Sequence, residues 1–201
     1  MTKPLPLILA SGSRHRAKLL DDAGLVFAQI TSTLDERAME APLEEADVLP
    51  ADRAEILAEA KAVSVSQAHT GHITIGCDQI LSFQDKVLHK PKDMQEARRR
   101  LLTLSGNTHH LHSAIVLVVD GVTKWRHVAT CSLTMRPMTP EFIGRHLADV
   151  GEVALDSVGA YQIEGRGVHL FEKIEGDIFS IIGLPLLPLL AQLRTMGAID
   201  G

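Results

Sequence analysis

The sequence predicts an α/β fold in which helices flank a mixed β-sheet. Short apolar runs alternate with stretches of helical periodicity in the first half of the chain, a pattern typical of parallel strands joined by helices. The second half carries two long strand-like runs joined by Asp120-Gly121, a dipeptide typical of antiparallel hairpins. We therefore expect one domain over residues 1–201, with a mixed sheet and two lobes around a cleft.

The composition narrows the class of protein. Of 201 residues, 45% are hydrophobic and 22% charged, which favours a globular core over disorder. The net charge of -5 argues against a nucleic acid polymer as partner, so any phosphate site would be a local basic patch. We expect no leader peptide and no membrane segment, hence a cytoplasmic protein. Cys77 and Cys131 lie in apolar runs and are expected to be reduced core thiols.

The predicted elements of the first half follow from apolar periodicity and from capping residues. Gly24 is expected to end the first helix, and Asp93 with Glu96 resembles a capping box. In order, we predict a strand at 7–10, a helix, a strand at 27–30, a mobile polar loop at 33–50, a helix capped by Asp52 with an apolar face of Ile56, Ala60 and Val63, a strand at 73–77 that continues or re-forms at 80–83, a strand at 87–88, and a helix from 93 to 104.

The second half is predicted as a meander followed by a short α/β segment. Pro140 is favourable at the first position of a helix, and Phe142, Ile143, His146, Leu147 and Val150 would form its core face. In order, we predict strands at 110–119 and 125–135, the helix after Thr139, a glycine-rich segment at 159–167, strands at 168–174 and 178–182, and a helix at 184–193.

The stretch Leu7–Leu20 has the pattern of an anion site. Its apolar strand breaks at Ser11-Gly12-Ser13, and Arg14, His15 and Arg16 follow where a helix begins. Unpaired backbone N–H groups and the helix dipole attract phosphate at such a point. An ordinary strand-to-helix corner, with serine caps and solvated arginines, has the same pattern, so both interpretations stay open.

Four charged residues have the types that phosphoanhydride cleavage requires. Asp78 follows a buried strand and Glu36 lies in the polar stretch, where carboxylates can hold a divalent cation or orient a water. Lys61 and Lys90 adjoin apolar residues and can neutralise phosphate. For each residue taken alone a structural explanation is more common. Asp78 would then be a turn aspartate, and the other three residues would be solvated surface charges.

Three histidines, His109, His110 and His112, raise the question of a transition-metal site. On a strand His110 and His112 share one face while His109 points to the other, and no third ligand lies at a typical spacing. Cross-strand packing or a substrate contact is the favoured interpretation.

A series of short motifs runs in order along nearly the whole chain. They are Leu9–Leu20 (LASGSRHRAKLL), Asp35-Glu36, Leu57–Ala62 (LAEAKA), Gly76–Gln79 (GCDQ), Lys90–Asp93 (KPKD), Leu104–His109 (LSGNTH), Gly159–Tyr161 (GAY) with Glu164-Gly165, Ile174–Asp177 (IEGD) and Ile182–Pro185 (IGLP). In content and order this set resembles the Maf family of nucleoside triphosphate pyrophosphatases.

The resemblance implies an elongated mixed sheet around a nucleotide cleft, often in a homodimer, and hydrolysis of a nucleoside triphosphate to the monophosphate and pyrophosphate. It implies a divalent metal, Mg²⁺ or Mn²⁺, held by Glu36 and Asp78, with Asp78 also the proton acceptor. The triphosphate would be bound by Ser11, Ser13, Arg16, Lys61 and Lys90.

Three positions bear on the choice of base. Gln79 and Glu164 are similar to the subgroup that prefers 7-methyl-GTP, and a carboxylate at Glu164 could accept hydrogen bonds from a guanine edge. His15 stands where that subgroup tends to have Trp, Arg14 replaces the usual Pro, and Ser157 stands where many dTTP-type members have Lys. The resemblance favours the 7-methyl-GTP type, and an ordinary purine or a mixed preference stays open.

Two other classes of function also stay open. One is a non-catalytic nucleotide-binding regulator linked to cell division, against which the joint presence of Asp78, Lys61 and Lys90 argues. The other is a different phosphohydrolase, for example one acting on sugar phosphates, which would release orthophosphate instead of pyrophosphate.

Overall fold

The computed structural model describes residues 4–84 and 86–200. Within these ranges seven strands form one mixed sheet, in the order β2-β1-β3-β5-β6-β7 with β4 beside β3. The strands are β1 (Leu7–Leu9), β2 (Phe27–Gln29), β3 (Ile73–Phe83), β4 (Lys86–Leu88), β5 (Thr108–Val119), β6 (Val122–Met135) and β7 (Phe171–Glu175). β1 runs parallel to β2 and β3, whereas β3 with β4 and β6 with β7 are antiparallel. The predicted α/β class with a mixed sheet is confirmed.

Helices of varied length flank the sheet. They are α1 (Arg14–Asp22), α2 (Glu36–Glu45), α3 (Pro50–Ala68), α4 (Met94–Leu104), α5 (Pro140–Val150), α6 (Ile178–Ile182) and α7 (Leu186–Thr195), with 3₁₀ turns at Gly151–Asp156 and Arg166–Leu170. Among the described residues no helix has the length and apolarity to cross a membrane.

The chain divides into two compact units. The first takes in the chain up to Gln79, Ser113–Ala129 and the chain from Gly183 onward, and the second takes in Ile80–His112 and Thr130–Ile182. In the first unit Ile8 of β1 and Ala10, which follows the strand, pack with Val65 of α3. The core of the second unit includes Leu101, Leu111, Leu133, Ile143 and Leu170. The assignment of residues 1–201 to one domain around a nucleotide cleft stays a prediction.

Several local predictions are confirmed. Asp93 caps α4 by accepting a hydrogen bond from the Glu96 backbone N–H at 2.7 Å. At the predicted hairpin turn Asp120 and Gly121 have φ values of 50° and 73°, the left-handed conformation that this kind of turn requires. Cys77 and Cys131 are both buried free thiols.

The loop predicted at residues 33–50 is wrong, because α2 occupies Glu36–Glu45. The carboxylate of Asp35 accepts hydrogen bonds from the Arg37 and Ala38 backbone N–H groups, at 3.1 and 3.2 Å, and so begins the helix. Pro42 lies inside α2, which has no buried residue. The sequence pattern failed there because an exposed helix shows no strong apolar stripe.

The face predicted for the next helix is also wrong. α3 begins at Pro50 with Leu49 as its N-terminal flanking residue, and Asp52 lies in its first turn instead of capping it. Ile56 is 38% exposed. The buried face consists of Ala54, Leu57, Ala58, Lys61, Ala62 and Val65, with Arg53 and Ser66. Alanines fit either face of a helix, so periodicity alone could not choose between them.

Two strands predicted near the C-terminus differ in the structure. The first half of 168–174 is the 3₁₀ turn Arg166–Leu170, and β7 begins only at Phe171. Residues 178–182 form α6 instead of a strand. The reason is local, since the carboxylate of Asp177 accepts a hydrogen bond from the Ser180 backbone N–H at 3.0 Å and so begins a helical turn.

Candidate active site

The corner between β1 and α1 is built by two serines. Ser13 caps α1 by accepting a hydrogen bond from the Arg16 backbone N–H at 3.4 Å. The hydroxyl of Ser11 accepts the Ser13 backbone N–H at 3.3 Å. The corner therefore has the form predicted for an anion site, and its serines also carry out the capping that an ordinary corner requires.

The guanidinium of Arg16 joins three parts of the first unit. Its Nε donates to the Gly183 carbonyl at 2.8 Å, and its Nη1 donates to the Ser11 hydroxyl at 3.1 Å and to the Cys77 carbonyl at 2.9 Å. Gly183 has φ +122°, a conformation that side chains rarely adopt. These contacts make Arg16 a brace between β3 and the start of α7, and its phosphate-binding role stays a prediction.

Helix α3 approaches β3 closely at Gly76. A Cβ at Gly76 would overlap the Ala58 carbonyl oxygen and lie 2.7 Å from the Ala62 Cβ. Ala54, Ala58 and Ala62 recur every four residues, so they present a row of small side chains to the strand. Because a glycine faces alanines here, the two backbones can approach each other closely. The approach also brings Lys61, the next buried residue of α3, next to the strand.

Lys61 bridges two carboxylates. Its Nζ lies 2.6 Å from Asp78 Oδ1 and 3.0 Å from Glu36 Oε2. The side chains of Lys61 and Asp78 are only 10% and 11% exposed, whereas that of Glu36 is 56% exposed at the start of α2. An ammonium group held by a buried and an exposed carboxylate gives the site fixed charges of both signs.

Asp78 was predicted near the end of a strand, but β3 continues through it to Phe83. Its carboxylate therefore projects from the middle of a regular strand, on the same face as Gly76 two residues earlier. The neighbouring Cys77 is fully buried, and burial raises the pKa of its thiol to about 11. A neutral buried thiol is a poor nucleophile, which argues against Cys77 as a reactive group, and the role predicted for Asp78 stays a prediction.

Gln79 is positioned by a residue that sequence reasoning missed. Its side-chain Nε2 donates to the Ser113 hydroxyl at 2.9 Å, and Ser113 is fully buried. The only sequence signal is that Ser113 is a lone hydroxyl ahead of the apolar run Ala114–Val119.

Three further residues were predicted for the site, namely His15, Lys90 and Glu164. His15 is half-buried in the first turn of α1, where Arg14 Nε donates to its Nε2 at 3.5 Å. Lys90 and Glu164 belong to the second unit, on the loop after β4 and in the turn before the second 3₁₀ segment, and both are exposed. The roles predicted for these residues stay predictions.

The histidine cluster follows the predicted alternation. His109 is fully buried, and its Nε2 shares a hydrogen bond of 2.6 Å with the Tyr161 hydroxyl. His110 is exposed and stacks on His112 on the other face of β5. Within the described ranges no group of three or more His, Cys, Asp or Glu side chains is arranged to hold a metal. These contacts agree with packing, one of the two favoured interpretations, and a substrate contact stays a prediction.

Comparison with known proteins gives a consistent result. A family model described as Maf-like protein matches residues 6–196. A relative from Mesorhizobium japonicum is 61% identical over 195 residues, covering 97% of this chain and 98% of the relative. Relatives from Rhizobium etli and Brucella abortus are 57% and 56% identical over the same length, with the same shares covered. All three are named 7-methyl-GTP pyrophosphatase.

Proposed function

Because the chain belongs to the Maf-like family, we propose that it is a nucleoside triphosphate pyrophosphatase with 7-methyl-GTP as a substrate. The observation that carries the proposal is the contact of Lys61 with Asp78 and Glu36, at 2.6 and 3.0 Å. This contact lies in the same compact unit as the Ser11–Ser13 corner. Phosphoanhydride hydrolysis needs positioned cations, a carboxylate and an oriented water, and these residues have the required chemistry.

Asp78 is the proposed proton acceptor. Lys61 Nζ donates to its Oδ1 at 2.6 Å and so holds the carboxylate in place. In the proposed reaction a water gives a proton to this carboxylate as its oxygen bonds to phosphorus next to the α–β bridging oxygen. The bond from that phosphorus to the bridging oxygen breaks, which yields the nucleoside monophosphate and pyrophosphate.

The corner residues and lysines are proposed to hold the triphosphate. Ser11 and Ser13 lie at the N-terminus of α1, where backbone N–H groups favour phosphate. The Nε and Nη1 groups of Arg16 already make three hydrogen bonds within the protein. Its Nη2 carries two further N–H groups that can reach phosphate oxygens. Lys61 and Lys90 would add positive charge to the phosphates.

Glu36 and Asp78 fit a Mg²⁺ or Mn²⁺ ion. Their carboxylates converge on one cation, the Lys61 ammonium, and oxygen ligands are the ones that these ions prefer. Mg²⁺ usually takes only one or two carboxylates and completes its coordination with waters and substrate phosphates. When bound, such an ion would neutralise charge that develops on the phosphates.

The base preference is proposed to be set by Gln79, Glu164 and His15. The names of the relatives, together with Gln79 and Glu164, support a methylated guanine nucleotide. We also propose that the protein is a cytoplasmic homodimer that removes unwanted nucleotides.

A substrate panel tests the proposal. Purified protein with Mg²⁺ or Mn²⁺ is given 7-methyl-GTP, GTP, dTTP, UTP and CTP, and pyrophosphate and orthophosphate are measured separately. We expect pyrophosphate release, highest for 7-methyl-GTP, which EDTA abolishes and added metal restores. Nucleotide binding without turnover would instead identify a regulator, and orthophosphate release would identify another kind of phosphohydrolase.

A further inference from the structure

The second unit carries a groove that the proposed reaction does not use. It has a volume of about 590 Å³ and lies along helix α5, with Arg136 on one side and the 3₁₀ segment of Arg166 and His169 on the other. Phe142, Arg145, His146 and Asp149 line it from α5. Their spacing of i, i+3, i+4 and i+7 places them on one face of the helix, so the whole face is turned to the groove.

The groove is basic although the chain as a whole has a net charge of -5. Three arginines line it, and Asp149 is the one carboxylate among its described lining residues. Asp149 accepts a hydrogen bond from Arg166 Nη2 at 2.8 Å, which neutralises one of the three positive charges. The charges of Arg136 and Arg145 remain, and together they match a dianion.

The arginine at the edge of the groove is held in place before any ligand binds. Arg136 Nε donates to the His169 carbonyl at 2.8 Å, and its guanidinium lies 4.3 Å from the ring centre of Phe142. A fixed guanidinium loses little conformational freedom on binding, which favours recognition of an oxyanion.

His146 provides an independent indication of a ligand. The residue is only 6% exposed, and its Nε2 has no hydrogen-bond partner among the described residues. Leaving a buried polar atom unpaired costs about 1 to 3 kcal/mol, so native proteins rarely do so without a reason. Burial lowers the pKa of His146, and Arg166 lowers it further. An oxyanion in the groove beside this imidazole would offset the positive charge of the arginines around it.

We propose that this groove is a second anion site, which binds the phosphate group of a small molecule. Arg136 and Arg145 contact the phosphate oxygens, and the His146 imidazole lies beside them. Arg136 follows β6 and Arg145 lies on α5, so the two cations reach the groove from different segments, and two positive charges suit a phosphate dianion better than a singly charged carboxylate. Inorganic phosphate, pyrophosphate and a nucleotide phosphate share this chemistry.

Binding is tested without turnover, so the outcome is separate from that of the proposed enzyme activity. With EDTA present, pyrophosphate, phosphate, AMP, adenosine and acetate are each titrated into isotope-labelled protein, and the ring signals of His146 and His169 are followed by NMR. We expect saturable shifts with the three phosphate compounds and none with adenosine or acetate. The relative affinities of free phosphate, pyrophosphate and AMP then show which source the groove prefers.

Three charge variants complete the experiment. Arg145→Gln should weaken binding by about tenfold, whereas Asp149→Asn should tighten it because it removes the opposing carboxylate. Arg99→Gln is the matched control, since Arg99 is exposed on α4 and does not line the groove. Improved binding in Asp149→Asn cannot result from misfolding. Absence of saturable shifts, or equal affinities in Arg145→Gln and Arg99→Gln, would overturn the proposal.

Discussion

The ammonium of Lys61 on α3 lies 2.6 Å from the Asp78 carboxylate in the middle of β3, with both side chains almost buried. The pair exists because Gly76 and the α3 alanines let helix and strand approach each other. A buried ion pair is weak evidence for stability, since desolvation of the two charges offsets much of their attraction. The role proposed for this pair is therefore chemical.

Replacing the proposed proton acceptor tests that role directly. Asp78→Asn keeps the size of the side chain and an oxygen that can accept from Lys61, but the amide cannot take a proton from water. We expect kcat for pyrophosphate release to fall by about 10² to 10⁴, with nucleotide affinity nearly unchanged. Steady-state kinetics and a binding titration measure the two quantities. Near-wild-type kcat would remove Asp78 from the mechanism.

The close approach at Gly76 predicts a large structural effect from one methyl group. In Gly76→Ala the new Cβ would meet the Ala58 carbonyl and force α3 away from β3. We expect the free energy of unfolding to drop by about 1 to 3 kcal/mol or more, with loss of activity because Lys61 moves too. Urea unfolding measures the change.

Gly165→Ala is the matched control for that substitution. A Cβ at Gly165 has only the Gln162 carbonyl within reach, at an ordinary 3.8 Å. Equal stability losses in the two variants would contradict the packing argument.

The sequence singled out Lys61 and Asp78, which the structure brings into contact, but not the packing that brings them together. Lys61 and Asp78 were expected to act near each other because their charges suit phosphate chemistry, and the motif order supported them. The predicted face of α3, centred on Ile56, was wrong, because alanines carry little information about which side is buried. The contact of Gly76 with Ala58 depends on helix-to-strand distance, a property that no local pattern records.

The hydrogen-bond partners of Arg16 also could not be predicted from the sequence. Its charge and position favoured a phosphate contact, but the bonds to Cys77 and Gly183 join residues 61 and 167 positions away. Such long-range partners are backbone carbonyls, which every residue possesses, so their identity could not be inferred from residue types.

The bracing by Arg16 can be tested by a conservative change. Arg16→Lys keeps the charge, but a single ammonium cannot reproduce the planar fork that reaches Ser11, Cys77 and Gly183 together. We expect a loss of about 1.5 to 3 kcal/mol in the free energy of unfolding, because carbonyl acceptors lose a charged donor.

The control for Arg16→Lys is Lys18→Gln. Lys18 forms an exposed pair with Asp22 at 2.9 Å, and such pairs contribute little to stability. A stability loss in Lys18→Gln as large as that in Arg16→Lys would show that α1 is equally sensitive at a side chain that joins no other segment, and would contradict the three-way brace.

Ser113 is expected to tune substrate choice through Gln79. Ser113→Ala removes the acceptor of the Gln79 amide and leaves its side chain less fixed. We expect the ratio of kcat/KM for 7-methyl-GTP to that for GTP to change by about fivefold, since one hydrogen bond corresponds to about 1 kcal/mol. Ser113→Thr, which keeps the hydroxyl, should restore the ratio. An unchanged ratio in Ser113→Ala would show that the hydrogen bond to Ser113 does not influence the choice of base.

The buried His109–Tyr161 pair predicts how stability depends on pH. Burial lowers the pKa of His109 from 6.5 to about 4, with His110 and Arg100 adding to the effect. Between these pH values the unfolded imidazole binds a proton that the folded one does not, so stability should fall as pH falls from 6.5 to 4. The full loss from this one group is about 3 kcal/mol.

His109→Gln isolates this contribution, because glutamine can still hydrogen-bond to the Tyr161 hydroxyl but does not titrate. The pKa values of His112 and His146 are also lowered by burial, so the informative quantity is the difference between wild type and variant. Unfolding by urea at a series of pH values from 7 to 4.5 should give curves that converge as the pH falls. Parallel curves would mean that His109 binds its proton as readily in the folded protein as in the unfolded one. The complete burial of His109 beside Tyr161 argues against that outcome.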